Sequence, residues 1–202
     1  EIYADEHARV KVQFHWDLEG KYDDQSSCWL RVMQTWAGGG WGHQFIPRVG
    51  MEVLVLFLGG DTDNPFVIGA AYNGRNPVPF PLPEAKTRSG LRTQSTPQSG
   101  GYNELSFEDA AGAEQVFLRA ERDLDEAVQR NHTTVVGAER TSQVNGNHRE
   151  HVKGTQELDV LGPRRVTVGG DANLFVAGDA QRQVDGDDDA TIGGNRFDDV
   201  RG

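Results

Sequence analysis

Residues 144–171 read VNGNHREHVKGTQELDVLGPRRVTVGGD, with valine at every eighth position and glycine two places after each valine. Helical faces repeat every 3.6 residues or so and strand faces every two, so a count of eight belongs to neither. Outward from this stretch the valine column runs Val128, Val136, Val144, Val152, Val160, Val168, Val176, Val184, Ile192 and Val200, without a break. Twelve Val or Ile residues lie between 128 and 200 and ten of them sit in the column, so this is an internal repeat. The glycine column runs Gly146, Gly154, Gly162, Gly170, Gly178, Gly186, Gly194 and Gly202. Asn147, Thr155, Pro163, Asp171, Asp179, Asp187 and Asn195 follow seven of these glycines, which is turn chemistry.

The octad predicts one short strand per repeat, kinked where glycine accepts a backbone angle other residues resist, with the stiff valine pointing inward. One apolar residue in eight is a thin core for a single chain. A one-chain triangular β-helix needs three sides per coil, or roughly fifteen to eighteen residues at about five per strand. Eight residues cannot close it. Three chains wound together, each giving one valine per layer, fill the axis and pair every strand edge. The repeat therefore predicts an intertwined homotrimeric needle. A Ca²⁺-binding roll or an adhesin-like repeat is the reading of a different class. Such rolls use Gly/Asp-rich nonapeptides, whereas the period here is eight and the acids cluster in the last two repeats. His148, Lys153, Arg164 and Arg165 stand where such a roll wants carboxylates.

Glycine has no partner after the two earliest valines, where Arg130 and Ala138 stand instead. The regular needle is therefore expected at 144–202, with a transitional β segment at 103–143. That segment holds two strands, YNELSFED and EQVFLRAERD, around the turn AAGA. Before it, Pro77, Pro79, Pro81 and Pro83 alternate and a Ser/Gly-rich stretch follows, which predicts a stiff linker over 81–102. The first 80 residues read differently. RVKVQFHW alternates apolar and polar as a half-buried strand, and SCWLRVMQTW, MEVLVLFL and PFVIGAAY read as further strands between turns. Short strands without a helical period predict a small antiparallel barrel. All four Trp lie in the first 41 residues, and Trp16 and Trp29 are expected in its core.

The net charge of −11 repels phosphate backbones, so nucleic acid is not an expected partner. No run of eighteen apolar residues exists to span a membrane. The chain opens EIYADEHARV, with neither Met nor an apolar signal segment, which suggests a piece of a longer protein made in the cytoplasm. The single cysteine, Cys28, excludes an intrachain disulfide framework and is expected as a packed core residue.

The stretches RVKVQFHWDLEGK, SSCWLRVMQTWAGGGWG, FIPRVGMEVLVLFLGGD and NELSFEDAAGAEQVFLRAERD, followed by the Val–x–Gly octads, closely resemble the valine–glycine repeat (VgrG) spike proteins of type VI secretion systems. They are similar also to the cell-puncturing tail spikes of contractile phages, the alternative owner of such a sequence. The resemblance runs from about residue 8 to 202, departing from the family's Pro-containing turn at Thr62. It implies an all-β chain, with an OB-fold barrel at 1–80 and an intertwined homotrimeric triple-stranded β-helix after it. It also implies a membrane-puncturing spike that delivers effectors. The expected partners are a PAAR-type tip protein or an effector at the C-terminal end, and an Hcp-like tube and baseplate through an N-terminal region not in this sequence. Export by the contractile machine follows from the same resemblance.

No catalytic, cofactor or metal site is expected. AGGGWG lacks the Gly-Lys-Ser/Thr and the helix of a phosphate loop. His148 and His151, three apart, fall on opposite faces of a strand. The run Asp185, Asp187, Asp188 and Asp189 reads as a solvated end region. Related phage spikes carry a lysozyme domain between barrel and needle, for which the linker here leaves no room. An OB-fold that binds oligonucleotides wants a basic groove with exposed aromatics.

Overall fold

A computed structural model describes residues 1–97 and 99–195. The chain falls into two units, Glu1–Thr133 and Thr134–Gly202. Among the described residues there is no α-helix; the one helical element is a 3-10 turn at Leu58–Gly60.

The first unit carries two three-stranded sheets. One is built from β1 (Arg31–Val32), β2 (Glu52–Phe57) and β3 (Pro65–Ala71), in the order β1-β3-β2. The apolar runs 51–58 and 65–72 form β2 and β3 as their composition predicts. They pair antiparallel with a register shift between Leu54 and Val55. The 3-10 turn and Asp61–Asn64 connect them, with Gly59 and Gly60 at positive φ. β1 runs parallel to β3, where an all-antiparallel arrangement was expected. Val10, Leu30 and Val67 form the buried centre, and Ala4, Val12, Val32, Ile46, Val53 and Val55 pack around it.

The expected strand at 9–16 shrinks to a single bridge, in which Val10 and Leu30 exchange both amide hydrogen bonds (2.9 and 2.8 Å). The reason is local. The Val12 amide bonds the Ser27 hydroxyl at 2.9 Å instead of a neighbouring strand, and Asp17 turns back onto the Phe14 carbonyl. Burial fades along the run, leaving Trp16 69% exposed, so its expected place in the core is corrected. It stacks on Phe14 at 4.5 Å, with Phe57 beside it. The strand expected over 27–36 is confined to the Leu30 bridge and β1, and Cys28 is exposed rather than packed.

The second sheet consists of β4 (Arg88–Arg92), β5 (Glu104–Glu108) and β6 (Gln115–Arg119), antiparallel throughout. β5 and β6 are the two expected strands, joined by a turn at 110–113 in which Ala113 bonds the Ala110 carbonyl. β4 corrects the reading of 81–102 as linker. It pairs residue for residue with β5, and the Pro-rich run beside it seats Phe80 as a buried side chain.

In the second unit every described residue is exposed, and no strand or helix is assigned among them. The backbone bends at 137–138, 145–146, 153–154, 161–162, 169–170, 177–178, 185–186 and 193–194, always eight apart. Earlier bends at 121–122 and 129–130, within the first unit, keep the same count.

Candidate trimer interface

The repeat sorts its apolar side chains into two kinds. Val128, Val136, Val144, Val152, Val160, Val168, Val176, Val184 and Ile192 are 44–55% exposed. The apolar residues of the same stretch outside that column, Val135, Leu158, Leu161, Val166, Leu174 and Phe175, are 65–99% exposed. Each described column residue is thus about half sheltered by its own chain and open on the other half. Val200 lies outside the described residues, as does Gly202.

Each bend falls on the two residues after a column valine, so Gly146, Gly154, Gly162, Gly170, Gly178, Gly186 and Gly194 sit at its second position. Their expected reason is corrected. None of these seven takes a positive φ, and the bends at 129–130 and 137–138 put Arg130 and Ala138 where later repeats have glycine. The bend is therefore made with backbone angles open to any residue. Around each of the seven glycines a Cβ would meet nothing within 4 Å of this chain.

His148 and His151 are both exposed, as are the acids at 185–189, of which Asp188 pairs with Arg182.

The β4–β6 sheet holds a constellation that its sequence gave little sign of. Its faces are the reverse of an ordinary sheet's. Burial in β5 alternates, but the buried residues are Glu104 and Ser106, whereas Leu105 and Phe107 are exposed. Register places Arg92, Glu104 and Arg119 in one row and Gly90, Ser106 and Phe117 in the next. The Ser106 hydroxyl donates to Glu104 Oε1 at 2.7 Å, and Arg92 donates to Oε2. The Arg92 guanidinium lies 5.4 Å from the Phe80 ring and 4.5 Å from Tyr102, whose other neighbour is Arg119 at 3.9 Å. Arg119 pairs in turn with Glu121 at 2.6 Å. Burial pushes the Glu104 carboxyl up, but the hydrogen bonds from Ser106 and Arg92 outweigh it and hold the group below its ordinary value. The Tyr102 amide and Arg119 lower Glu121 likewise. Gly90 is required by close approach, because a Cβ there would stand 2.5 Å from the Leu105 carbonyl oxygen and 2.7 Å from Ser106 Cα. A Glu-x-Ser alternation beside hydrophobic residues was the available signal, and it misleads because polar alternation ordinarily marks the solvent face.

Residues 3–72 match the family model described as the type VI secretion system/phage-baseplate injector OB domain. Residues 89–200 match that of the bacteriophage T4 gp5 C-terminal trimerisation domain. The chain is 54% identical over 140 residues to the type VI secretion system spike protein VgrG4b of Pseudomonas aeruginosa, covering 69% of this chain and 17% of that protein. It is 51% identical over 136 residues to the spike protein VgrG3 of Vibrio cholerae, covering 67% of this chain and 13% of the relative. It is also 49% identical over 136 residues to the actin cross-linking toxin VgrG1 of Vibrio cholerae, covering 67% of this chain and 12% of that protein. The chain thus spans less than a fifth of the length of each of these relatives. An OB domain followed by a trimerisation domain built on Val–x–Gly octads places the chain in the VgrG family of type VI secretion spike proteins.

Proposed function

We propose that this chain is the barrel-and-needle portion of a homotrimeric spike, driven through a target envelope by a contractile machine to deliver effectors. The observation that carries the reading is the valine column, half covered at every described layer in a stretch whose other apolar side chains, Val135, Leu158, Leu161, Val166, Leu174 and Phe175, are 65–99% exposed. Two neighbouring copies complete the cover of each valine and take up the backbone groups that one extended chain leaves free. Burying the open half of a valine yields roughly 1 kcal/mol, so one three-chain layer gains about 3 kcal/mol. Layer repeats layer, and the rod resists bending along its whole length without a large core. The octad glycines leave the space into which a neighbour's backbone fits.

The role is mechanical rather than catalytic: several of the relatives that the chain matches are named as spike proteins. The toxin activity in the name of VgrG1 is that of a protein of which this chain matches 12%. A conical PAAR-type cap or an effector occupies the C-terminal end, and the tube and baseplate engage through sequence preceding this chain. The contractile machine exports it. Among the described residues no helix is long and apolar enough to cross a membrane, which suits a body that pierces a bilayer by force.

The test is effector delivery by the full-length protein carrying Val160→Asp and Val168→Asp together. Three carboxylates then meet in each of two layers, and delivery is expected to fall to background. Leu161→Asp, at a position 99% exposed, is expected to deliver normally. Undiminished delivery by the double variant contradicts the proposal.

A further inference from the structure

In the second unit Thr141 donates a hydrogen bond to Glu139, Gln143 to Asn145 and Gln183 to Asp185, each across two residues. Gln156 donates to Glu150 at 3.2 Å and Arg182 donates to Asp188, each across six. An even separation puts both partners on one face of an extended chain. The first three pairs are odd-numbered. The last two are even-numbered, like every column valine, so Glu150, Gln156, Arg182 and Asp188 share the valine face. Between Val152 and Ala180 the even-numbered residues are apolar or glycine except for Gln156 and Arg164. The odd-numbered face of the same span carries Lys153, Glu157, Asp159, Arg165, Asp171 and Asp179. Arg164 is thus the one charge on the valine face there. At Glu150 and at Arg182 a polar side chain six residues on meets the charge, whereas the residue six before Arg164 is Leu158. Arg164 has no hydrogen bond or ion pair to any described residue.

We propose that the Arg164 side chains of three copies converge on the needle axis and hold one inorganic tetrahedral oxyanion, of the phosphate or sulfate class, enclosed as the chains assemble. The inference rests on the homotrimer reading above, because one chain supplies only a third of the site. Three guanidinium groups brought together among apolar side chains repel one another and lose their water, and arginine does not shed its charge. An anion on the axis removes both penalties. Symmetry selects its shape: a tetrahedral oxyanion has a threefold axis of its own, and each of its three equivalent oxygens faces one guanidinium fork. The layers on either side, with Leu158 and Val160 before Arg164 and Val166 and Val168 after it, place no carboxylate on the face to take that role. Elsewhere a chain of net charge −11 repels anions, so an oxyanion that stays with the protein is held by a particular site.

The probe is inorganic phosphate. The full chain is unfolded in guanidinium chloride, refolded in phosphate or in chloride, and exchanged into chloride buffer, and its mass is determined. Phosphate set free by a second unfolding is then assayed with molybdate. The phosphate-refolded trimer is expected to release one phosphate per three chains and to melt at a higher temperature than the chloride-refolded one. Arg164→Met, whose side chain suits the apolar layer, is expected to assemble and to release at least about tenfold less phosphate. Arg165→Met, on the odd-numbered face, should release as much as the parent. A trimer that releases no phosphate overturns the inference and leaves the spike reading intact. Equal release by the parent and Arg164→Met also overturns it, marking an adventitious ion only. A parent chain that stays at 22.2 kDa overturns both readings. Should Arg164→Met fail to assemble, the two melting temperatures of the parent decide, and equal values overturn the inference.

Discussion

Arg92 sets both its Nε and Nη2 against a single carboxylate oxygen of Glu104, at 2.7 and 2.6 Å, while the Glu104 side chain is only 2% exposed. With Ser106 on the other oxygen, the carboxylate is bonded on both sides. The cluster joins β4 to β5 and fixes which face of the sheet is covered.

A pH dependence follows, with a definite sign. The folded Glu104 carboxyl lies below its ordinary 4.5, so its contribution to stability is fully present above that value. It is lost as pH falls through the lower, folded value. The unfolding midpoint of the first unit should therefore drop as pH is lowered below 4.5, and the drop should be shallower in Glu104→Gln. At neutral pH, Arg92→Leu is expected to cost about 2–4 kcal/mol because it leaves a buried charge unpaired, whereas Glu104→Gln, which keeps acceptor and shape, costs less. Urea titrations at several pH values check both.

Gly154→Ala separates the two reasons a repeat might hold glycine. In a single chain the change should stabilise by roughly 0.5–1 kcal/mol, because the site has ordinary backbone angles and open space. In a three-chain needle the added methyl meets a neighbour's backbone in every copy, and the melting temperature should fall. Thermal unfolding of the variant beside the parent chain reads the sign directly.

The count of eight makes its own prediction. Deleting residues 153–160 removes one whole repeat and brings Val168 into the place of Val160, so a shorter but intact trimer is expected. Deleting 153–156 moves the later valines half a repeat out of phase with the earlier ones. Every copy carries the same cut, so the valines still meet layer by layer on either side, but the half repeat is too short to make one full side of the needle, and a trimer clearly less stable than that of the eight-residue deletion is expected. Gel filtration and circular dichroism of the two deletions check this.

The parts of the fold most legible in sequence were those with a strong repeating signal. The apolar runs that became β2 and β3 and the hairpin of β5 and β6 stand where pattern placed them, and the bends among the described repeats recur every eight residues. Legibility failed where a side chain displaced a regular pairing. Val10 to Trp16 alternates as a strand should, yet Ser27 takes the Val12 amide and the pairing stops after one bridge. β4 hides in SGLR, whose glycine is there for backbone contact with β5 and reads in sequence as a loop. The buried Glu104 and Ser106 were out of reach because only the strand register shows that the polar side is the covered one. For the octad glycines the position of the bend was legible, but its cause was not, since one chain's periodicity does not distinguish a required angle from required space.

The most direct test of the three-chain needle is the mass of the purified chain, by native mass spectrometry or sedimentation equilibrium at micromolar concentration. A stable species of three times 22.2 kDa, elongated in low-resolution images, is the predicted result. A stable monomer of 22.2 kDa would contradict it.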